Sequence, residues 1–518
     1  MHLVLGAACA ALALLATGAV GDTPTAAAAP QLVELRPSAS CDAASIVRRA
    51  GATTVAASLR LYRLDADAAA RVLPRLRACQ ALRFTMPDTV AGTMSTTDFT
   101  DPLIGTEWWR DAIGVVGLTP PGPGKPLTIV DSGVDVAHQE FAGRTSIVTL
   151  NAQEPAPLGG VHGTAVASLI GAPADDVGMV GIYPQALLQS WDAARGNGVT
   201  LLTSDIVAGV LAAASQGAGV INLSLGSGRS LLPIQQAIET AIRKGMLIVA
   251  AAGNDGDVGS PLSFPASLPH VLTVAATDEQ NAVTSFSSQS RFVDLAAPGE
   301  NITVATALDN SWAAEAGTSF SSPLVAGAAA WVWTVRPELD ASQLFEVMRR
   351  SAVDINATGR DNATGFGLLN VPAALVYAAP VADPLEPNED VDYVTPGRAF
   401  DNGIPPLTTR AKPSTKLTAR LATVEDPRDV YRVFVPARGT ITVRTTAVSG
   451  AALALWGQAT QTVMEVTPNS NRLARGVSSK GIINLTYKNN GRAKTLYLAV
   501  TLAPRVPDAT YTIAVTAR

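Results

Sequence analysis

The middle of the chain alternates short apolar runs with longer segments of helical spacing. This alternation extends from about residue 127 to residue 351. Buried strands that alternate with helices predict an α/β fold, a doubly wound and mostly parallel sheet with helices on both faces. The predicted strands are 127–130, 186–191, 219–225, 246–251, 271–275 and 292–295, and the predicted helices lie near 203–216, 230–244, 320–335 and 340–351.

The N-terminal part has the pattern of a small, separate α/β unit. Asp65 is placed as the N-cap of a helix that runs to Cys79, with Pro74 as a flaw inside it. The other predicted elements are a helix at 42–50 and strands at 53–64 and 81–85.

The C-terminal part loses all helical spacing after a Pro- and acid-rich stretch at residues 383–392. Six segments beyond it alternate apolar and polar residues, as half-buried strands do, which predicts an all-β sandwich or barrel. These segments are 430–435, 440–445, 451–456, 482–487, 495–501 and 510–515.

Composition excludes several classes of protein. Hydrophobic residues make up 47% of the 518 residues and charged residues 16%, so the chain can build a large core and is not disordered. The formal charge of −5 provides no global basic field for nucleic acid or an anionic membrane. Four His and three Cys residues leave few ligands for a transition metal, so no transition-metal site is predicted.

Charge is distributed unevenly along the chain. Residues 31–83 hold nine Arg and four acidic residues, a balance of +5, which leaves −10 on the rest. A basic N-terminal unit could therefore dock electrostatically on an acidic body. A solvated, Arg-rich surface without a partner explains the same composition equally well.

Residues 1–29 have the pattern of an export signal. The apolar, Ala-rich run from Leu3 to Val20 is followed by small residues that suit signal peptidase. Because its start lacks Lys and Arg, a retained membrane anchor is the alternative. Cleavage is favoured, which predicts a secreted protein without a membrane contact. In an oxidising compartment Cys41 and Cys79 are expected to form a disulfide, with two buried free thiols as the alternative.

Four polar residues stand where an open α/β sheet places its chemistry, beyond the carboxyl ends of strands and at helix starts. Asp131 and Asn254 each follow a predicted strand, and His162 and Ser319 each precede a helix of small residues. A serine nucleophile needs a base, usually His. A serine at a helix start also has a free backbone N–H at the positive helix end, which suits an oxyanion.

The scarcity of histidine sharpens this assignment. His2 leaves with the signal, and His138 and His270 lie beside strand-and-turn segments where a structural role is favoured. His162 alone is framed by glycine and small residues at a predicted helix start. We therefore expect His162 to be the base.

The motifs around these residues resemble those of the subtilisin family of serine proteases (subtilases). DSGVD, HGTAVAS, INLSLG, AAGN and GTSFSSP occur in that order, and the resemblance covers about residues 97–378. It implies that Ser319 is the nucleophile, His162 the general base and then acid, and Asp131 the residue that orients the imidazole. It also implies an oxyanion hole formed by Asn254 and the Ser319 N–H. Ala165 replaces a second His that many relatives carry.

The resemblance also implies how a peptide substrate binds. An extended peptide would add to strand edges at 224–226 and, less securely aligned, at 196–198. Ala251, Ala252 and Gly253 would line the first specificity pocket, with Ser263 at its base. A small residue at the base leaves room for a large apolar side chain, although Asp255 at the rim could admit Lys or Arg. The implied substrate-binding residues are Ser224, Leu225, Gly226, Ala251, Ala252, Gly253 and Ser263.

The flanking units complete the predicted organisation: a signal peptide at 1–29, a propeptide-like unit at 30–95, a catalytic domain at 96–380 and a β-sandwich at 381–518. The N-terminal unit resembles a subtilase propeptide, which would inhibit the enzyme as a tethered partner; a permanent structural domain is the alternative. The C-terminal unit resembles the pre-peptidase C-terminal domains of secreted bacterial proteases, on EPNED and the segment 429–434. The β-sandwich domain of proprotein convertases is a rival interpretation of this unit. It would require an acidic pocket selective for dibasic substrates, which the sequence does not clearly show.

The predicted function is a secreted serine endopeptidase made as an autoinhibited zymogen. It needs protein or peptide substrate and no cofactor for the chemistry. Structural calcium is left open, with Asp175-Asp176 and Asp278-Glu279 as candidates against solvated turns. A non-catalytic surface or binding protein on the same scaffold is the alternative function. The complete Asp131, His162, Ser319 and Asn254 set favours the enzyme.

Overall fold

The structure, a computed structural model, divides the chain into two compact units, Met1–Met94 and Ser95–Arg518. The predicted signal peptide lies outside the described residues. These are 31–36, 40–56, 60–87, 99–144, 146–152, 161–195, 200–401, 403–446, 450–464, 471–479, 482–504, 506 and 508–518.

The first unit is an antiparallel four-stranded sheet with two helices packed on it, in the strand order β2-β3-β1-β4. The single strand expected over residues 53–64 is wrong, because the chain turns at Arg60 (φ 54°) and forms a hairpin. Asp65 caps the second helix as predicted, its Oδ1 accepting from the Ala68 N–H at 2.6 Å. Cys41 and Cys79 form the predicted disulfide, with Cα atoms 5.8 Å apart. The elements are β1 (Gln31–Leu35), α1 (Ala43–Arg49), β2 (Thr53–Ala56), β3 (Leu61–Leu64), α2 (Ala66–Ala78) and β4 (Leu82–Pro87).

The first part of the second unit contains the predicted doubly wound sheet. Seven strands pair in parallel in the order β13-β12-β11-β10-β5-β7-β6. Its elements are α3 (Trp109–Ala112), β5 (Leu127–Asp131), β6 (Ile147–Thr149), α4 (Val161–Gly171), β7 (Leu188–Asp192), β8 (Ala194–Arg195), β9 (Thr200–Leu201), α5 (Thr203–Ser215), β10 (Val220–Leu223), α6 (Leu232–Arg243), β11 (Leu247–Ala251), β12 (Val271–Thr277), β13 (Val293–Pro298), β14 (Ile302–Thr306), β15 (Ser311–Glu315), α7 (Thr318–Val335), α8 (Ala341–Arg350) and α9 (Val371–Val376).

Helices cover both faces of the central strands, which explains why β5, β11 and β12 are buried along their whole length rather than alternating. Side chains such as Ile129 and Val249 pack with helices α4 and α7 in one core. Their neighbours Val130 and Ile248 pack with helices α5 and α6 in another. The carboxyl ends of the strands therefore meet at one edge, between the helices that follow them.

The last part of the second unit is a sandwich of two antiparallel sheets, with the strand orders β16-β24-β18-β22-β21 and β17-β23-β19-β20. Strand β24 alternates buried and exposed residues, as a strand with one face in a core does. The short helix α10 precedes the sandwich. The elements are α10 (Val391–Val394), β16 (Ser414–Leu421), β17 (Arg428–Val435), β18 (Thr440–Thr446), β19 (Ala451–Trp456), β20 (Arg472–Arg475), β21 (Val477–Ser479), β22 (Ile482–Lys488), β23 (Lys494–Leu502) and β24 (Ala509–Ala517).

All six strands predicted for this region are present. Strands β16, β20 and β21 were missed. Four of the eight residues of β16 are Ser, Thr or Lys, so its apolar signal is weak. Within the described part of the chain, no helix is long and apolar enough to span a membrane.

Candidate active site

The carboxyl end of β5 carries a carboxylate that is hydrogen-bonded to a histidine. Every residue of β5 is buried, and the strand ends at Asp131. His162 Nδ1 lies 2.8 Å from Asp131 Oδ1 and 3.0 Å from Oδ2. The Ser132 N–H also donates to Oδ1, at 2.7 Å. The carboxylate is thus fixed by its own chain, and it accepts the Nδ1 proton, which leaves Nε2 as the basic nitrogen.

Helix α4 is tied to the end of β5 directly beside this pair. His162 is the second residue of α4, and the N–H of Gly163 donates to Ser132 Oγ at 3.0 Å. Ser132, which follows Asp131, is therefore bonded to Gly163, which follows His162. This contact positions the imidazole relative to the carboxylate.

The environment of His162 favours its protonated form. Burial disfavours the imidazolium, but the Asp131 carboxylate and its hydrogen bond outweigh this effect, with a smaller contribution from Glu315. The pKa of His162 is therefore raised above its ordinary value. An imidazole that gains basicity from a neighbouring carboxylate is suited to accept a proton from a hydroxyl.

Ser319 lies in the first turn of α7, a helix that passes through the core. Pro323 lies four residues later and has no N–H to bond the Ser319 carbonyl. That carbonyl instead accepts from Ser224 Oγ at 2.8 Å, on the segment that follows β10. The Ser319 hydroxyl makes a long contact with the Ser224 carbonyl oxygen, at 3.4 Å. The helix start is thus held against the end of β10.

The side-chain amide of Asn254 is oriented by Thr318, the residue before the serine. Its Oδ1 accepts from both the N–H and the Oγ1 of Thr318, each at 2.9 Å. Thr318 Oγ1 in turn accepts from the Gly253 N–H at 3.1 Å. Because Oδ1 is occupied, the amide directs its Nδ2 donor elsewhere. A Cβ at Gly317 would lie 3.2 Å from that Nδ2, so glycine leaves space beside the donor.

Beside Ser319 and Asn254 lies a cavity of about 300 Å³. Gly226 and Ser263 meet at its wall, where a Cβ at Gly226 would lie 2.4 Å from Ser263 Oγ. Residues 196–198 lie outside the described residues. Ala252 is buried, and it lies in the sequence between Ala251 and Gly253, which line the cavity. The predicted substrate-binding residues that line it are Ser224, Leu225, Gly226, Ala251, Gly253 and Ser263, and Asp255 lines it too.

His138 and His270, the other histidines among the described residues, have different partners. His138 Nε2 lies 3.0 Å from the Ser311 carbonyl oxygen, and its Nδ1 accepts from the Glu140 N–H at 3.0 Å. His270 hydrogen-bonds Glu389. Both therefore make the structural contacts expected of them.

Comparison with known proteins identifies the relatives of this region. The model of the subtilase family (Peptidase_S8) matches residues 122–367. Subtilisin BL of Lederbergia lenta is 34% identical over 258 residues, which cover 50% of this chain and 92% of that protein. The chain belongs to the subtilase family of serine proteases.

Other relatives of this subtilase match the same part of the chain. The minor extracellular protease Epr of Bacillus subtilis (strain 168) is 35% identical over 281 residues, 54% of this chain. The chain spans only 42% of the length of Epr. Among solved structures, sphericase is 26% identical, with a TM-score of 0.45, and the match covers 54% of this chain and 100% of that one.

Three residues of the subtilase site were missed by the sequence analysis. Thr318 orients Asn254, and Asn222 and Ser322 form a buried network with Ser224. Asn222 Nδ2 donates to Ser224 Oγ at 2.9 Å, and Ser322 Oγ donates to Asn222 Oδ1. The available signal was a polar residue within the otherwise apolar β10 and a run of hydroxyl residues at the start of α7.

Proposed function

We propose that this subtilase is a secreted endopeptidase that hydrolyses peptide bonds with Asp131, His162 and Ser319. Ser319 Oγ attacks the scissile carbonyl carbon, while His162 Nε2 takes the hydroxyl proton. The resulting imidazolium is stabilised by Asp131 and then gives its proton to the leaving amine. Water then attacks the acyl carbon while His162 takes its proton, and His162 returns that proton to Ser319 Oγ as the ester bond breaks and the carboxylic acid leaves.

The oxyanion of each tetrahedral intermediate would be bound by Asn254 Nδ2 and the Ser319 N–H. The Ser319 N–H is in the first turn of α7, where backbone donors have no partner within the helix. Fixed donors of this kind act on charge that develops only in the transition state.

The Asp131–His162 pair supports this proposal most strongly. Its two short contacts select one tautomer of the imidazole, and its effect on the pKa is that required of a general base. A protein that used this fold only for binding would not need either feature.

The test is covalent labelling of the folded protein with a fluorophosphonate probe. We expect stoichiometric labelling of the parent protein. Ser319→Ala should abolish the labelling and lower peptidase turnover about 10⁶-fold, because triad members act as a unit. Ser227→Ala is the matched control, since Ser227 lines the same cavity. It should keep the labelling, because the Ser319 hydroxyl and the Asp131–His162 pair stay in place. Labelling that persists in Ser319→Ala would refute the assignment of the nucleophile, whereas a parent protein that is not labelled at all would favour a non-catalytic binding protein.

We also propose that the N-terminal unit inhibits the enzyme as a tethered propeptide. The unit has its own core, which includes Val33, Val47 and Leu76, and residues 31–83 carry a balance of +5. Screening limits the attraction to about 8 Å in physiological salt, so apolar contacts must supply most of the affinity.

The test of inhibition adds isolated residues 30–95 to the mature enzyme. We expect inhibition at micromolar concentration, weakened by salt. A folded segment that leaves peptide hydrolysis unchanged would show that the unit is a permanent structural domain.

Export is proposed from residues 1–29. Intact-mass analysis of protein recovered from the medium should give a chain that lacks them. A chain that retains them in the membrane fraction would support the anchor alternative.

A further inference from the structure

The C-terminal sandwich is strongly basic, although the whole chain is acidic. Residues 414–518 hold 14 Lys and Arg residues against five Asp and Glu residues, a balance of +9 within a chain of −5. Three of the described acidic residues of this region are buried: Glu425, Asp426 and Asp429. Asp508 is partly buried and forms an ion pair with Arg350 of α8. Within the described residues, the exposed charge of the sandwich is therefore positive.

One sheet of the sandwich has a face that is open to solvent. In the sheet β16-β24-β18-β22-β21, side chains such as Val443 and Leu485 point into the core. Because side chains alternate along a strand, their neighbours point to solvent and form what we call the outer face. Three cations of the outer face are exposed, and their side chains make no hydrogen bond or ion pair with the described residues: Lys416, Arg444 and Lys488. These charges are available to a partner.

The strand register sets the spacing of these cations. Lys416 and Arg444 are both paired with Ala514, which lies on β24 between them. Neighbouring strands lie about 4.8 Å apart, so the Cα atoms of the two cations lie about 10 Å apart. Lys488 is paired with Thr440, four residues before Arg444, which places it about 14 Å further along the strands. The cations are thus spread over the outer face, which suits a polymer with repeated negative charges rather than a small anion.

Hydroxyl groups cover much of the outer face between the cations. Ser414 Oγ donates to Thr516 Oγ1 at 3.1 Å. The hydroxyl oxygens of Thr418 and Thr512 are also 3.1 Å apart. Contacts of this kind order the hydroxyls before a ligand binds, which lowers the entropy lost on binding. The exposed threonines of the outer face are Thr418, Thr442, Thr446, Thr486 and Thr510.

The outer face lacks the groups that other polyanions and neutral glycans require. Among its described residues, no side chain is acidic or aromatic. Single-stranded nucleic acids are normally held by aromatic side chains that stack on the bases. Anionic membranes are held by apolar side chains that enter the lipid, and Val477 is the one large apolar side chain exposed on the described part of this face. A neutral glycan would leave the cations without partners.

We propose that the outer face binds an anionic polysaccharide. Lys416, Arg444 and Lys488 would pair with its carboxylate or sulfate groups, and the planar guanidinium of Arg444 can hold such a group with two parallel hydrogen bonds. The threonine hydroxyls would exchange hydrogen bonds with the sugar hydroxyls. Because the cations are exposed, salt should weaken the attraction beyond about 8 Å. Binding of this kind would hold the subtilase domain at an anionic matrix.

The test uses the full chain with Ser319→Ala, which prevents self-digestion. Binding to immobilised polygalacturonate and dextran sulfate is measured in about 0.05 M and about 0.5 M NaCl, with neutral dextran as the uncharged comparison. The face variant combines Lys416→Gln with Arg444→Gln. The control variant combines Arg475→Gln with Arg492→Gln, which are exposed and lie outside the outer face. Both variants lose two positive charges, so they differ only in where the charge is removed.

We expect the parent to bind both polyanions in low salt, to release them in high salt and not to bind neutral dextran. The face variant should bind the polyanions about tenfold more weakly, as the loss of two exposed ion pairs predicts. The control variant should stay within about twofold of the parent, because its charges lie beyond the screening length from the bound polymer. If the face variant does not fold, Arg444→Gln alone is measured in the same way.

Four results would overturn the proposal. The first is no binding to either polyanion in low salt, and the second is equal weakening in the face and control variants, which would show attraction to overall charge alone. The third is tighter binding to duplex DNA of equal charge, which would assign the outer face to nucleic acid. The fourth is self-association of the parent, measured by sedimentation velocity, that the face variant abolishes; it would show that the face docks on the acidic remainder of a second copy. The peptidase proposal stands in each case, because the outer face lies outside the catalytic cleft.

Discussion

Replacing Asn254 tests whether its amide acts on the transition state. Asn254→Ala removes Nδ2, which we assign to the oxyanion, and Oδ1, which accepts both donors of Thr318. We therefore expect two effects that can be separated. One is on turnover and the other is on stability.

The expected magnitudes follow from these contacts. Loss of one oxyanion donor should lower kcat by about 10²–10³-fold, or about 2.7–4 kcal/mol. Thr318 is 1% exposed, so a donor left without its acceptor should cost about 1–3 kcal/mol of folding stability. KM should change little, because the ground-state carbonyl gains little from this donor.

Two further variants separate these effects. Asn254→Asp keeps an acceptor for Thr318 but has no donor, so stability should recover while kcat stays low. Thr318→Val removes one of the two bonds that orient the amide, worth about 1 kcal/mol, and should lower kcat about three- to tenfold. Thr318→Ser keeps the hydroxyl and should restore most of the activity.

The assay is steady-state hydrolysis of a chromogenic peptide, normalised by fluorophosphonate titration of active sites, with thermal unfolding in parallel. The reasoning is refuted if Asn254→Ala raises KM at unchanged kcat. That result would make Asn254 a substrate-binding residue.

Three more predictions follow from the described contacts. Because Asp131 raises the pKa of His162 above its ordinary value and only neutral imidazole is a base, kcat/KM should fall about tenfold per pH unit once the pH is below that raised pKa; a rate that stays constant from pH 8 down to pH 5 would contradict this. Ser263 at the cavity wall predicts cleavage after large apolar residues, whereas preference for Lys or Arg that Asp255→Asn abolishes would reassign the pocket. Cys79→Ser should destabilise the isolated N-terminal unit by about 2–4 kcal/mol in urea unfolding, and no change on reduction of the parent would show that the disulfide is not stabilising.

Burial on both faces made the central sheet predictable. Six of its seven strands were recognised, because helices cover each side and their sequences are mainly apolar. Edge and hairpin strands were missed because they are short or partly exposed, which weakens their apolar pattern. Ile147–Thr149 is short and half exposed, and the hairpin of β14 and β15 carries partly exposed residues.

The four residues that we propose for catalysis could be singled out from the sequence, because their chemistry restricts them to few residue types at strand ends and helix starts. Their supporting contacts could not. The bond from Thr318 to Asn254 joins residues 64 positions apart, and that from Ser224 to the Ser319 carbonyl joins residues 95 apart. Sequence patterns encode burial and local conformation. Which hydroxyl meets which carbonyl depends on how strands and helices are packed.

Pro323 illustrates this limit. Proline inside a helix is normally a defect, because it removes one hydrogen bond and destabilises the helix by about 3 kcal/mol. The structure shows that the carbonyl it leaves free, on Ser319, is bonded by Ser224 Oγ, which itself accepts from Asn222. The helix thus exchanges an internal bond for one to the strand beside it. This exchange fixes the start of α7 and therefore the position of the Ser319 hydroxyl. It explains why a proline lies one turn after the serine that we propose as the nucleophile.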